Sequence, residues 1–346
     1  MSHRAAAVAC GLLASIGLGA CSKKSEGPSG PAPELTGLAT VPADADIVMV
    51  IDVGKVAQSP IIGRAIDQML SRDQTLAAGW QKVADGCKID VPKQVKYITL
   101  VLGPTPPGKH VGEGPLLLVA TGNLPEHDLA ECVGKMVGTG AGSVSGKTVA
   151  GRTLYQVKDG NRVMHFAYGR PDTVVMGASD AYVLEALGTG PKAPSHPELA
   201  AWMKLTDQYA PVWFVGRIDD RLKQRLVGVT DKQIKAGASA FVGAVDLTNG
   251  AKLDIGVIMT TPADAKSLES WTNNQKRAIE MAAQAKALGQ VVHKFAITAE
   301  ANIVRLRANL NMDDVNHVLS VLDPQPAPAQ SPSPPAGAGS GSASPP

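Results

Sequence analysis

Asp46-Ile-Val-Met-Val-Ile-Asp52 and Ala210-Pro-Val-Trp-Phe-Val-Gly-Arg-Ile-Asp219, laid side by side, decide the fold. Each is a short apolar run closed by an acid, which is the pattern of a buried strand. Each is followed by a helical segment. After the first, Ser59 as N-cap and Pro60 in the first turn open a helix to about Ser71, with Ile61, Ile62, Ala65, Ile66, Met69 and Leu70 at helical spacing. After the second, a helix is expected over 220–226.

The order then repeats. In the first half, strands are expected at 95–102 and 115–120, a capped helix at 123–136, strands at 152–158, 162–168 and 173–176, and a short helix capped by Ser179-Asp180. In the second half, strands at 240–247 and 252–259 flank Thr248-Asn249-Gly250, a hairpin turn signal. Pro262 opens a helix as Pro125 does. Lys294-Phe295-Ala296 echoes His165-Phe166-Ala167, and Asn302-Ile303-Val304 echoes Thr173-Val174-Val175 at the same spacing. Asn311-Met312-Asp313-Asp314 caps a last helix. The expected fold is α+β: two tandem similar β-α-β-β-α-β-β-α units of mostly antiparallel sheet with helices on one face. The units span 44–190 and 191–323, with a Pro/Gly-rich stretch at 188–197 between them. Residues 324–346 are low-complexity Pro, Ser, Gly and Ala, expected to form a disordered tail.

Composition narrows the function. The 44% hydrophobic content supports a packed core. Aromatic residues are only 4%, too few for a stacked sugar-binding or single-strand nucleic-acid platform. Net charge is +2 with acids and bases nearly balanced, so no basic stripe points to nucleic acid.

The N-terminus carries a different signal. Arg4 precedes an apolar run at 5–17, too short to span a bilayer, and Leu18-Gly19-Ala20-Cys21 follows. This segment resembles the signal peptide and lipobox of a bacterial lipoprotein precursor. The resemblance implies removal of residues 1–20, diacylglycerol on the Cys21 sulfur and a further acyl chain, such as palmitate, on the new N-terminus. Two or more chains hold a protein firmly to a membrane, at about 0.8 kcal/mol per buried CH₂. Residues 21–43, rich in Ser, Pro and Gly at their start, read as a flexible tether. Ser22, rather than Asp, after the lipidated cysteine favours the outer membrane by analogy with Gram-negative sorting. The body is also loosely similar to envelope lipoproteins with duplicated α+β units, a likeness that implies no catalytic residue.

Of the four cysteines, Cys10 leaves with the signal and Cys21 takes lipid. Cys87 and Cys132 remain as a disulfide candidate in an oxidising compartment, the alternatives being two buried thiols or half of a metal site. The bridge would contribute about 4 kcal/mol by the chain-entropy model.

Other motifs carry little chemistry. Residues 141–148 (AGSVSGKT) fit a loose phosphate-loop pattern, but a helix is expected before them and a strand after, the reverse of a nucleotide site; they read as a flexible connector. His127 and Glu131 sit four apart on a helix and read as a solvated face, without the third ligand a catalytic zinc needs. His165 reads as a sheet residue. Ser143 and Ser145 lack a nucleophile elbow. Trp202, Trp213 and Trp271 could line a cleft but are expected in the core. The long helix from Pro262 has Leu268, Trp271, Ala278, Met281, Ala282, Ala285 and Leu288 as its expected inner stripe.

With no catalytic residue, cofactor, nucleotide or metal singled out, the leading expectation is a non-enzymatic, membrane-anchored envelope lipoprotein. It would bind a protein or an apolar ligand in a cleft between its lobes. The alternative is an envelope hydrolase with a dispersed site.

Overall fold

The computed structural model describes residues 35–87, 90–138, 142–170, 172–230, 233–284 and 288–322. The signal segment, the lipobox with Cys21, and the tail from 323 lie outside these residues. The two apolar runs quoted above are strands β1 (Ile47–Asp52) and β8 (Val212–Arg217), and they pair with each other. The intervening strands are β2 (Val95–Leu102), β3 (Leu116–Gly122), β4 (Ser143–Val149), β5 (Arg152–Asp159), β6 (Arg162–Arg170) and β7 (Thr173–Gly177). After β8 come β9 (Ala238–Asp246), β10 (Ala251–Met259), β11 (Phe295–Glu300) and β12 (Ile303–Leu310).

Among the described residues these twelve strands form one antiparallel sheet in the order β11-β12-β10-β9-β8-β1-β2-β3-β7-β6-β5-β4. Outward from the β1–β8 seam, β1-β2-β3-β7-β6 corresponds to β8-β9-β10-β12-β11. The first half adds the hairpin β4–β5 at its outer edge. The Asn249-Gly250 turn closes β9–β10, with Gly250 at a φ of 96°, a left-handed conformation that glycine adopts without steric cost.

Between β1 and β2 lie four helices: α1 (Val53–Ala57), α2 (Pro60–Arg72), α3 (Gln74–Cys87) and α4 (Val91–Gln94). Then follow α5 (Glu126–Gly138), α6 (Asp180–Leu187), α7 (Pro197–Met203), α8 (Asp220–Val229), α9 (Pro262–Gln284), α10 (Gly289–His293) and α11 (Met312–Leu322). Side-chain caps begin several of them as the sequence suggests: Ser59 accepts from the Ile62 amide, Ser179 from Tyr182 and Asp219 from Leu222.

Alternation along the strands sends apolar side chains to both faces. On one face a single cluster crosses the seam, joining Val48, Val101 and Val119 to Val215 and Val242 beneath Val183 of α6 and Leu199 of α7. On the other, Phe166 and Val174 pack under Leu129 and Val133 of α5, while Leu268 of α9 and Leu226 of α8 cover Val304 and Val257. The long helices α5, α8 and α9 therefore share one face, and the shorter α6 and α7 cover the other.

Three expectations are corrected. The packed body begins before residue 44: Thr40 and Val41 are fully buried, and the Ala193 amide donates to Val41 O, so these residues belong to the body rather than to the expected tether. Residues 143–148 belong to strand β4 rather than to a flexible connector, because they pair with β5 residue by residue. The inner face of α9 runs through Asp264, Ala265, Leu268 and Ala283; Ala278, Ala282 and Met281 point outward, Met281 being 70% exposed. Leu288 does pack inward, against the cluster of Val291 and Leu310, and Ala285 lies outside the described residues. Helices α1, α3, α4, α7 and α10 add to the expected elements; the Asp73 carboxylate caps α3 by accepting from the Leu76 amide, and His196-Pro197 opens α7.

Candidate functional site

The β1–β8 pairing closes the boundary between the halves, so in place of a deep cleft between lobes there is one continuous sheet. What remains at the seam is an open recess at the end of β1 and β8 near Asp52. Val50, Trp213 and Thr99 form its floor, with Leu38, Tyr97 and Tyr209 around it. Its volume is about 600 Å³. Trp213 is buried, whereas Tyr209 is 88% exposed and Asp207 and Gln208 stand at the rim. The Thr206 hydroxyl is buried there and has no hydrogen-bond partner among the described residues. This recess is polar and apolar by turns.

A second depression lies wholly in the second half, between α8 and α9 over the sheet. Leu222 and Leu226 of α8 form one wall, Leu268 of α9 the other, and Phe241, Val257 and Leu306 the floor. It encloses about 400 Å³. Among the described residues, Thr272 is the one side chain in this groove with a polar atom, and its hydroxyl proton is already used in a bond to Leu268 O at 2.8 Å. An apolar molecule would be held there by removal of its surface from water.

The segment above the groove is anchored by a buried acid. Asp264 is 4% exposed, and its carboxylate accepts from the Lys235 and Ala236 amides, each at 2.8 Å. Burial alone raises its pKa, but those two bonds, with help from Thr261 and Gly237, outweigh it and hold the carboxyl below its ordinary value. Asp219, the cap of α8, is held low by the Leu222 amide first and also by the Val111 amide; His110 Nδ1 stands 3.7 Å from it. Both acids have structural partners.

The residues singled out in the sequence are scattered. His127 is 86% exposed beside Asp128, and Glu131 pairs with Lys135 at 2.6 Å, so the two do not converge on a common point. His165 is buried, with Nε2 3.1 Å from Gln156 and Nδ1 3.3 Å from Ala178 O. Ser143 and Ser145 lie on edge strand β4. Trp202 and Trp213 are core residues, and Trp271 is half-buried against the α9 cluster. Cys87 and Cys132 form a disulfide that ties α3 to α5. Among the described residues, no three His, Cys, Asp or Glu side chains gather in a metal-binding set, and no helix is long and apolar enough to cross a membrane. The α8–α9 groove escaped the sequence reading because its walls come from residues 218 to 306, each ordinary in its own element.

No protein-family model matches the chain, and no curated protein sequence does. A solved structure titled as crystal form I of TP0453 is similar to it over 83% of this chain and 98% of that one, at 10% identity and a TM-score of 0.45. A likeness this distant carries no functional weight.

Proposed function

We propose that the chain is a lipid-anchored protein of the bacterial cell envelope that binds an apolar ligand without transforming it. The lipobox at Leu18–Cys21 supports the anchor, with diacylglycerol on Cys21 and the outer membrane as its site. The observation that carries the binding function is the α8–α9 groove, whose lining is apolar apart from a Thr272 hydroxyl already bonded to its own helix. A ligand there is recognised by shape and by burial of apolar surface, as an acyl chain would be. The seam recess, with its mixed lining, suits an envelope protein partner less well than the groove suits an apolar ligand.

Titration of the purified protein with dansyl-labelled undecanoic acid tests the groove. Saturable fluorescence enhancement is expected, and it should vanish in Val257→Trp, which fills the groove from its floor. No saturation, or binding unchanged by the substitution, would overturn the binding reading. Intact-mass analysis of protein extracted from envelopes tests the anchor, with an unmodified Cys21 as the contrary result. Turnover by the purified protein in a hydrolase screen, lost on changing a single Ser or His, would replace binding with catalysis.

A further inference from the structure

We infer that α2 and α3 form a surface that rests on lipid and lays the body against the membrane that holds its tether; the inference rests on acylation of Cys21. The connection from β1 to β2 carries α1 to α4, whereas the corresponding connection from β8 to β9 contains only α8 among the described residues. No residue of the thirteen-residue α2 is buried. Its apolar positions form a stripe through Ile62, Ile66 and Leu70, which are half-buried, with Met69 exposed at its edge, the pattern of a helix with one apolar side. Met69 is 50% exposed, and in α3 Leu76 is 39% and Trp80 49% exposed. Single exposed apolar side chains are ordinary; three large ones within twelve residues around one helix–helix turn form a local concentration.

The pair is held along one side: α3 packs along α5, α2 packs on α3, and Ile61 rests against the cluster of Val291 and Leu310. Ser59 Oγ donates to Leu247 O, Arg64 donates to Asn316 of α11 at 3.1 Å, and Cys87 is bonded to Cys132 of α5. These attachments lie at one end of the sheet, and the chain enters from the tether at the same end. Thr36 meets the Thr173 hydroxyl at 3.1 Å, Asp172 O accepts from Gly122, and Gln94 O at the end of α4 accepts from Asn123. From Cys21 to Glu34 are fourteen residues, a length of chain that can reach at most about 48 Å. A body held this close meets lipid at a high effective concentration, so a weak surface affinity is enough to orient it.

Charge identifies the kind of surface. Arg64, Arg72 and Lys82 are matched by Asp67, Asp73 and Asp85, so the pair has no net charge with which to seek acidic lipids. The attraction is therefore apolar and little affected by salt. Trp80 is the side chain suited to the headgroup boundary, where an indole keeps its ring in the apolar layer and its N–H in water.

The test uses phosphatidylcholine vesicles containing acyl-brominated phosphatidylcholine, which quenches nearby indoles. Acylated full-length mature protein is expected to lose part of its tryptophan emission on these vesicles, at low and high salt alike, and Trp80→Phe should remove the quenched component. The unacylated Cys21→Ser chain should still sediment weakly with plain vesicles. The Met69→Ser/Leu76→Ser/Trp80→Ser variant, checked for unchanged circular dichroism, should partition on the order of a hundredfold less. Absence of Trp80 quenching in both forms would overturn the inference, as would release by salt. Self-association without vesicles that the triple variant abolishes would overturn it too, by assigning the surface to a second copy. A mass spectrum lacking the acyl group, with Trp80 still quenched in the Cys21→Ser chain, would remove the anchor and leave the lipid surface standing.

Discussion

The ring of Phe214 lies on the backbone of Gly243, its cross-strand partner, and on the same strand pair the ring of Phe241 lies on Gly216. The two rings tilt against each other with centroids 6.0 Å apart. Each glycine makes room for the aromatic ring opposite, and a β-carbon at either position would overlap that ring. Gly243→Ala and Gly216→Ala are therefore expected to destabilise the fold by about 1–3 kcal/mol through overpacking. Because Phe241 forms part of the groove floor, Gly216→Ala should also weaken binding of an apolar probe. Urea denaturation and probe titration of each variant check the two effects.

Val48 and Val215 face each other across the seam, both fully buried, and the core around them belongs to both halves. Val215→Ala is expected to cost about 2 kcal/mol. The whole molecule should lose stability in one transition, with tryptophan fluorescence and far-ultraviolet circular dichroism superimposing. Two separated transitions would show that the halves fold independently.

The Cys87–Cys132 bridge closes a separation of 45 residues. Reduction is expected to lower stability by up to about 4 kcal/mol on the chain-entropy model. Since α2 has no buried residue and α3 is largely exposed, the first consequence should be local. Limited proteolysis of the reduced protein should cut within 60–87 before the sheet opens.

Asp264 makes stability depend on acid. Its pKa in the folded state lies below the ordinary 3.8, so the native carboxylate binds its proton less readily than the unfolded one does. The stabilisation is fully present above that ordinary value and fades as pH falls through the lower folded one. Asp264→Ala leaves the Lys235 and Ala236 amides without their acceptor and should cost about 1–3 kcal/mol at neutral pH. As pH falls below the ordinary carboxylate value and through the lower folded one, the difference between variant and parent should narrow. Urea midpoints measured across that range check the sign.

The strand and helix sequence was legible because most elements carry their own signals: Ser59-Pro60, Ser179-Asp180 and Asn249-Gly250 at boundaries, and alternating or helical apolar spacing between them. The disulfide candidates were legible because only two cysteines remain once the lipobox is read. The reading of 141–148 as a connector failed because Gly and Ser suit a loop as well as an edge strand, and pairing with β5 decided between them. The inner stripe of α9 was misplaced beyond Trp271 because the helix outruns the sheet beneath it, leaving Ile279 and Met281 in solvent.

Local physics in the chain itself thus determined an α+β body, the order of most of its elements and the cysteine pair. Only the tertiary structure decided that β1 and β8 join edge to edge, which replaces two lobes and a cleft with one sheet. It alone assembled the α8–α9 groove from distant residues and left α2 and α3 uncovered. Backbone hydrogen bonding at a strand edge is indifferent to side-chain identity, and exposure depends on what packs above a residue. Neither is written in the spacing of residues along one segment.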